Sequence, residues 1–275
     1  MSAVHPPDRT APLQEASAAR QRGDHEAARA ALDRLLRDAP DDGDGLHMRG
    51  ALAIARGDAT AAIADLRGAD ANGAGPLALA NLGIALAAAG FAEEAESVLR
   101  RAVDDGGGQP QAAYNLGHLL AARGADDEAE VWLRAAVDAA PSYTRASCEL
   151  AAVLLRSREA SSAHAVLLAA LGYDEDHPVV LHHLGLAERM LGNHEAACAY
   201  FRRARPAMGP DRDLMLGLGA SLQECGHLEE ALAVYRELLG ALPDAYGQVL
   251  RTLSSAPHGC FDLRPSRLRA LLGMA

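Results

Sequence analysis

Two neighbouring stretches repeat one alternation of apolar and polar positions. Pro76 to Val103 reads PLALANLGIALAAAGFAEEAESVLRRAV, and Pro110 to Pro141 reads PQAAYNLGHLLAARGADDEAEVWLRAAVDAAP. In each, apolar residues recur at steps of three and four, a glycine interrupts, and a second amphipathic run follows. That pattern predicts two helices joined by a tight turn. Leu82-Gly83 is answered by Leu116-Gly117, Gly90 by Gly124 and Ala95 by Ala129.

The same columns extend in both directions. Small residues stand at Ala16, Gly50, Gly83, Gly117, Ala151, Gly185 and Gly219, at steps of 34, 33, 34, 34, 34 and 34. A second column reads Ala28, Ala62, Ala95, Ala129, Ala163, Ala197 and Ala231, and keeps two crossing helices close. One turn further come the larger knobs Leu32, Leu66, Leu99, Leu133, Leu167, Phe201 and Tyr235. The turn column is Gly23, Gly57, Gly90, Gly124, Gly192 and Gly226, with Arg158 as the one departure; a strained turn is expected there.

This layout resembles the tetratricopeptide repeat, a helix–turn–helix unit with a 34-residue period. The resemblance covers about residues 10–243 and implies an all-α solenoid of about seven repeats coiled as a right-handed superhelix. Residues 1–8 are expected to form a flexible tail, 9–243 the repeats, 244–256 a C-terminal capping helix and 257–275 a short amphipathic tail. Pro40, Pro141 and Pro243 close repeats, and Pro206 with Pro210 stands in for a closing proline in the sixth. Leu253, 34 residues after Gly219, puts a bulky group in the small-residue column, as suits a last helix with nothing stacked closely behind it. The tail carries the stripe Leu268, Leu271 and Leu272 opposite Arg264, Arg267 and Arg269, and either docks in cis or joins copies of the chain into a homo-oligomer.

Composition narrows the function. The formal net charge of −11 argues against nucleic acid and against an anionic membrane surface. Every basic side chain counted with the arginines is arginine, since the chain has no lysine. The four cysteines lack close Cys-x-x-Cys spacing, and the start shows no signal-peptide pattern, so a cytoplasmic setting is expected. No stretch approaches the ~18 apolar residues of a membrane span. Neither a phosphate-cradling glycine loop nor a nucleophile elbow occurs, so the chain is read as no enzyme, with no cofactor. His47, His118 and His182 recur about one repeat or more apart, too far for bonds of ~2 Å to one metal ion.

The family resemblance implies a concave groove, lined by the first helix of each pair, that binds a peptide or helix of a partner protein. The groove positions expected to carry binding are Ile84, Tyr114, His118, Cys148, Arg156, His182, Leu186 and Arg189. Tyr114 and the arginines would act as anchors, and Ile84 as apolar support. Some relatives grip a C-terminal carboxylate with Lys and Asn; Asn81 and Asn115 are suitably placed, but the lysines are missing. The leading function is therefore a protein-interaction scaffold or adaptor. Alternatives are a non-catalytic accessory subunit of a sulfotransferase, glycosyltransferase or oxygenase-type enzyme, or a self-assembling scaffold.

Overall fold

The computed structural model describes residues 9–106, 109–255 and 272. Among them are fifteen α-helices and no strand. The first eight are α1 (Thr10–Gln21), α2 (His25–Asp38), α3 (Gly43–Ala55), α4 (Ala59–Ala71), α5 (Pro76–Ala88), α6 (Ala92–Asp105), α7 (Pro110–Ala122) and α8 (Asp126–Ala139). The rest are α9 (Thr144–Arg156), α10 (Ala160–Leu171), α11 (Pro178–Met190), α12 (His194–Met208), α13 (Arg212–Glu224), α14 (Leu228–Ala241) and α15 (Tyr246–Ser255). Helices α1–α8 form one compact unit and α9–α15 a second. In each unit consecutive helices pair, and the first helix of each pair also packs on the first helix of the next (α3 on α5, α5 on α7; α9 on α11, α11 on α13).

The small-residue column is where each pair closes. A Cβ on Gly50, Gly83 or Gly117 would lie 2.6, 2.4 or 2.6 Å from Cγ of Leu66, Leu99 or Leu133. Those contacts are shorter than any carbon pair tolerates, so the glycine lets the knob of the second helix rest on the backbone of the first. The alanine column and the knobs are almost completely buried, from Ala28 and Leu32 to Ala231 and Tyr235. Burying a leucine side chain contributes roughly 1.5–3 kcal/mol. That pairwise burial repeats along the chain and holds each stack together.

Helix starts follow local chemistry. Asp24, Asp42, Asp58 and Asp211 accept from the backbone N–H three residues on, at 2.8–3.0 Å, and Pro76, Pro110 and Pro178 open α5, α7 and α11. The turn glycines take φ of 75° to 85°, as at Gly23, Gly124 and Gly90. Arg158 keeps that backbone shape at φ 64°, alone among the described non-glycine residues, so the turn is conserved in geometry and strained in chemistry. Pro206 does not end its helix as the breaker pattern implied. Helix α12 runs on to Met208, because a proline in the last turn forfeits a single hydrogen bond, and Gly209 at φ 67° makes the stop.

Pro243–Ala245 forms a 3-10 turn leading into α15. Val249 and Leu253 of α15 are fully buried in the core of the second unit, and Leu272 belongs to the same cluster at 3% exposure. Leu253 is thus fully enclosed within that cluster. The remaining residues of the amphipathic tail, and the N-terminal tail, lie outside the described residues. On the second helices, arginines bridge to glutamates one repeat on: Arg67 to Glu94 (2.6 Å), Arg100 to Glu128 (2.8 Å) and Arg202 to Glu230 (2.6 Å). These rungs are exposed, and each is worth ~0–1 kcal/mol.

Candidate functional site

In the first unit, α5 and α7 leave a cavity of about 380 Å³ between their outward faces. Ile84, Ala87 and Ala88 come from α5, and Asn115, His118 and Ala122 from α7. Ile84 is half-buried and His118 exposed, so both reach solvent at the rim. Tyr114 does not: it is 3% exposed and stacks on His118, ring centroids 5.9 Å apart. It supports His118 from beneath, so the anchor role expected of it would need the ring to swing out. Asn115 accepts from Gln111 Nε2 at 3.1 Å, while its own Nδ2 finds no partner among the described residues. Its neighbour along the same face is satisfied, since Asn81 Nδ2 lies 2.9 Å from His47 Nε2. Burial holds the His47 imidazole below its ordinary pKa, with Asp44 pulling upward and Arg20 downward.

In the second unit the corresponding face belongs to α9, α11 and α13. Arg156 and Arg189 are exposed and Leu186 is half-buried. Cys148 and His182 sit lower, at 7% and 8% exposure. Burial pushes the Cys148 thiol up to about 12, which leaves it protonated and unreactive near neutral pH. His182 leans on Phe201, centroids 5.9 Å apart, and its Nε2 has no partner among the described residues. Burial and then His183 lower its pKa, against weaker upward pulls from Asp211 and Asp213. His183 donates from Nδ1–H to the Val179 carbonyl oxygen at 2.8 Å, and burial likewise lowers its pKa. Gln223 is 3% exposed; its Oε1 accepts from Tyr235 Oη at 2.7 Å, and its Nε2 is unpartnered.

The structure therefore brings Ile84 and His118 to one cavity, and places Leu186 and Arg189 a turn apart on α11. Asn115, which the sequence already places in the groove, and Gln223, which it does not single out, enter as polar groups with unspent donors among the described residues. A second cleft, about 300 Å³ between α2, α3 and α4, was also missed. There Arg49 holds Asp65 with two N–H groups (2.8 and 2.7 Å) and Asp33 with a third (3.1 Å). Its guanidinium is fully engaged by the chain's own carboxylates, so the cleft is a structural clamp. The spacing was legible, with aspartates sixteen residues before and after Arg49. Among the described residues no three His, Cys, Asp or Glu side chains converge as metal ligands, and no helix is long and apolar enough to cross a membrane.

Comparison with known proteins agrees with this architecture. The structure is similar to PilF of Pseudomonas aeruginosa, with a TM-score of 0.67 at 19% identity over 75% of this chain and 94% of that one. It is similar to PilW, described as a type IV pilus biogenesis factor, with a TM-score of 0.66 at 20% identity over 74% and 95%. A chain of the Cut9–Hcn1 hetero-tetramer of the APC/C matches with a TM-score of 0.71 at 14% identity over 91% of this chain and 50% of that one. At such identities the likeness is one of fold. No curated protein sequence matches. The tetratricopeptide repeat profile matches residues 13–76, 80–144 and 148–213, most of the chain. With the glycine column, the knobs and the turns all in register, this chain belongs to the tetratricopeptide repeat family.

Proposed function

We propose that the protein is a non-catalytic interaction module that binds a polypeptide segment of a partner through the faces of its first helices. The cavity between α5 and α7 carries this reading. At about 380 Å³ it is large enough for an aliphatic side chain, and its walls are mostly apolar (alanines, Ile84, Leu99 and Leu119), with Asn115 and His118 as the polar members. Asn115 Nδ2, a donor with no partner among the described residues, suits the carbonyl of an entering backbone. Ile84 and His118 form the rim in the first unit. Leu186, Arg156 and Arg189 offer the accessible contacts in the second, with Cys148 and His182 set lower, while Tyr114 underlies His118 in the first. An accessory role beside an enzyme would be a special case of the same binding, the catalyst being the partner.

A random peptide library displayed on phage, selected against the whole chain, tests this. Enriched sequences should share an aliphatic residue at one position. Ala88→Phe, which fills the cavity from an exposed wall, should reduce their binding at least tenfold with helicity unchanged. Equal binding to the variant would overturn the assignment. Leu272, packed in the chain's own core, supports cis docking of the tail over self-assembly. The free thiols Cys148, Cys198 and Cys225 fit a reducing cytoplasm, which cell fractionation checks.

A further inference from the structure

Helices α12 and α13 pack against each other and join the sixth repeat to the seventh. Each brings a cysteine to that contact. Cys198 follows Ala197 of the alanine column on α12, and Cys225 caps the end of α13, immediately before the turn glycine Gly226. Both belong to one apolar cluster, Cys198 buried within it and Cys225 half-buried at its edge. The repeat itself brings these two positions together. They stand 27 residues apart, and in the first unit the pair at the same register is Glu96 on α6 and Arg123 at the end of α7, which form an ion pair. Arg29 and Arg56, again at that register, line one cleft. Where the first unit sets opposite charges face to face, the second sets two thiols. Burial pushes the Cys198 thiol up to about 12; Cys225 adds to this by its charge and by a hydrogen bond, Arg202 opposes it and Glu230 adds a little. Cys148 has no such neighbour: beside burial, it is Glu149 that raises its pKa.

We propose that Cys198 and Cys225 are a redox modification site, which a peroxide converts from two thiols to a disulfide that ties α12 to α13. The order of events follows from depth. Cys225, the accessible sulfur, attacks hydrogen peroxide as its thiolate. The O–O bond breaks, the departing hydroxide leaves as water with the proton the thiol gave up, and Cys225 becomes a sulfenic acid. Cys198 then attacks Cys225 Sγ, the S–O bond breaks, and the hydroxide released takes the Cys198 proton. Two thiols have then lost two electrons and two protons, and one peroxide has become two waters. A buried, protonated thiol is a poor first nucleophile, but here its target is held beside it and the leaving hydroxide accepts its proton. The new bond closes a loop running from α12 through α13 and makes covalent a contact between repeats that packing alone otherwise holds. In a reducing cytoplasm the pair stays open until oxidant rises, the behaviour of transient intracellular disulfides. Nothing in this depends on what the first helices bind.

Treating the reduced full chain with a small excess of hydrogen peroxide tests the proposal. Peptide mapping without reductant should recover a Cys198–Cys225 crosslink, lost again on adding dithiothreitol. The midpoint of thermal unfolding should rise by roughly 5–10 °C on oxidation, as closure of such a loop allows. Cys225→Ser, a substitution at a half-buried position whose fold is checked by circular dichroism, should abolish both the crosslink and the shift. Cys260→Ser, which removes the cysteine outside the described residues, should leave both intact. Cys225 carried to sulfinic acid without a crosslink, a bond to Cys148 or Cys260 in its place, or no reaction at all overturns the site. A crosslink without the thermal shift, or a shift that persists in Cys225→Ser, overturns the tie between α12 and α13.

Discussion

The two units share one repeat but fill it differently, and the difference starts with a single column. In the first unit every knob is leucine, and three of the four rest on a glycine: Leu66 on Gly50, Leu99 on Gly83, Leu133 on Gly117, with Ala16 in the column for Leu32. In the second unit two knobs are aromatic. Phe201 needs two glycines, since a Cβ at Gly185 or at Gly217 would come within 2.6 or 2.8 Å of its ring. Tyr235 rests on Gly219 and brings a buried hydroxyl that must be answered, which Gln223 does at 2.7 Å. Gly217 holds the register at which Asn81 meets His47. The larger ring thus removes the side chain that could have answered His182, and the hydroxyl draws a glutamine into the face. A choice made for packing volume between helices resurfaces as unsatisfied polar groups buried along α11 and α13.

The sharpest test converts one unit's solution into the other's. Gly217→Asn alone should destabilise the second unit by about 3 kcal/mol through overpacking against Phe201. With Phe201→Leu present, the same Asn should cost less than about 1 kcal/mol, because the ring is gone and His182 gains the partner that His47 already has. Urea unfolding of the four variants gives the coupling; equal costs in both backgrounds would break the comparison.

The turns give a smaller effect. Arg158 bears the left-handed backbone that glycine carries elsewhere, a conformation costing roughly 1–2 kcal/mol in a side-chain-bearing residue. Glycine loses about 0.4–1 kcal/mol more through its freer unfolded state. Arg158→Gly should therefore stabilise the second unit by about 0.5–1 kcal/mol, whereas Gly124→Ala, its mirror in the first, should destabilise by a similar amount. A neutral or destabilising Arg158→Gly would mean that the arginine contributes contacts exceeding its strain.

Acid should act last and unevenly. Folding lowers the pKa of His47 in the first unit and of both His182 and His183 in the second, in each case chiefly by burial. A histidine lowered in the folded state is more readily protonated when unfolded. Its stabilisation is complete above the unfolded value of about 6.5 and is lost as pH falls from there through the folded value. Hydrogen-exchange protection compared at pH 7.5 and 5.5 should drop in both units, and further in the second. Equal losses would show that the burial of the histidine pair is not what distinguishes it.

Much of this was open to a reader of the bare sequence. The glycine and alanine columns announce close approach because no other residues recur at 34-residue steps with so few exceptions, and the misfit of Arg158 is visible against six glycines. Depth was not legible. Tyr114, Cys148 and His182 share the spacing of groove residues, yet each is covered by neighbours from adjoining helices, and spacing along one helix says nothing about what the next helix lays over it. Pro206 misled for a related reason: whether a proline ends a helix depends on how many bonds remain beyond it, and here few did.

The arginine–glutamate rungs on the second helices carry a mechanical corollary. Each joins one repeat to the next in full contact with water, as Arg67 does to Glu94 and Arg100 to Glu128. A contact worth no more than about 1 kcal/mol opens and recloses readily, so the rungs trim the fit between repeats while the buried leucines keep them stacked. Raising the ionic strength should therefore loosen the rungs without unstacking the repeats.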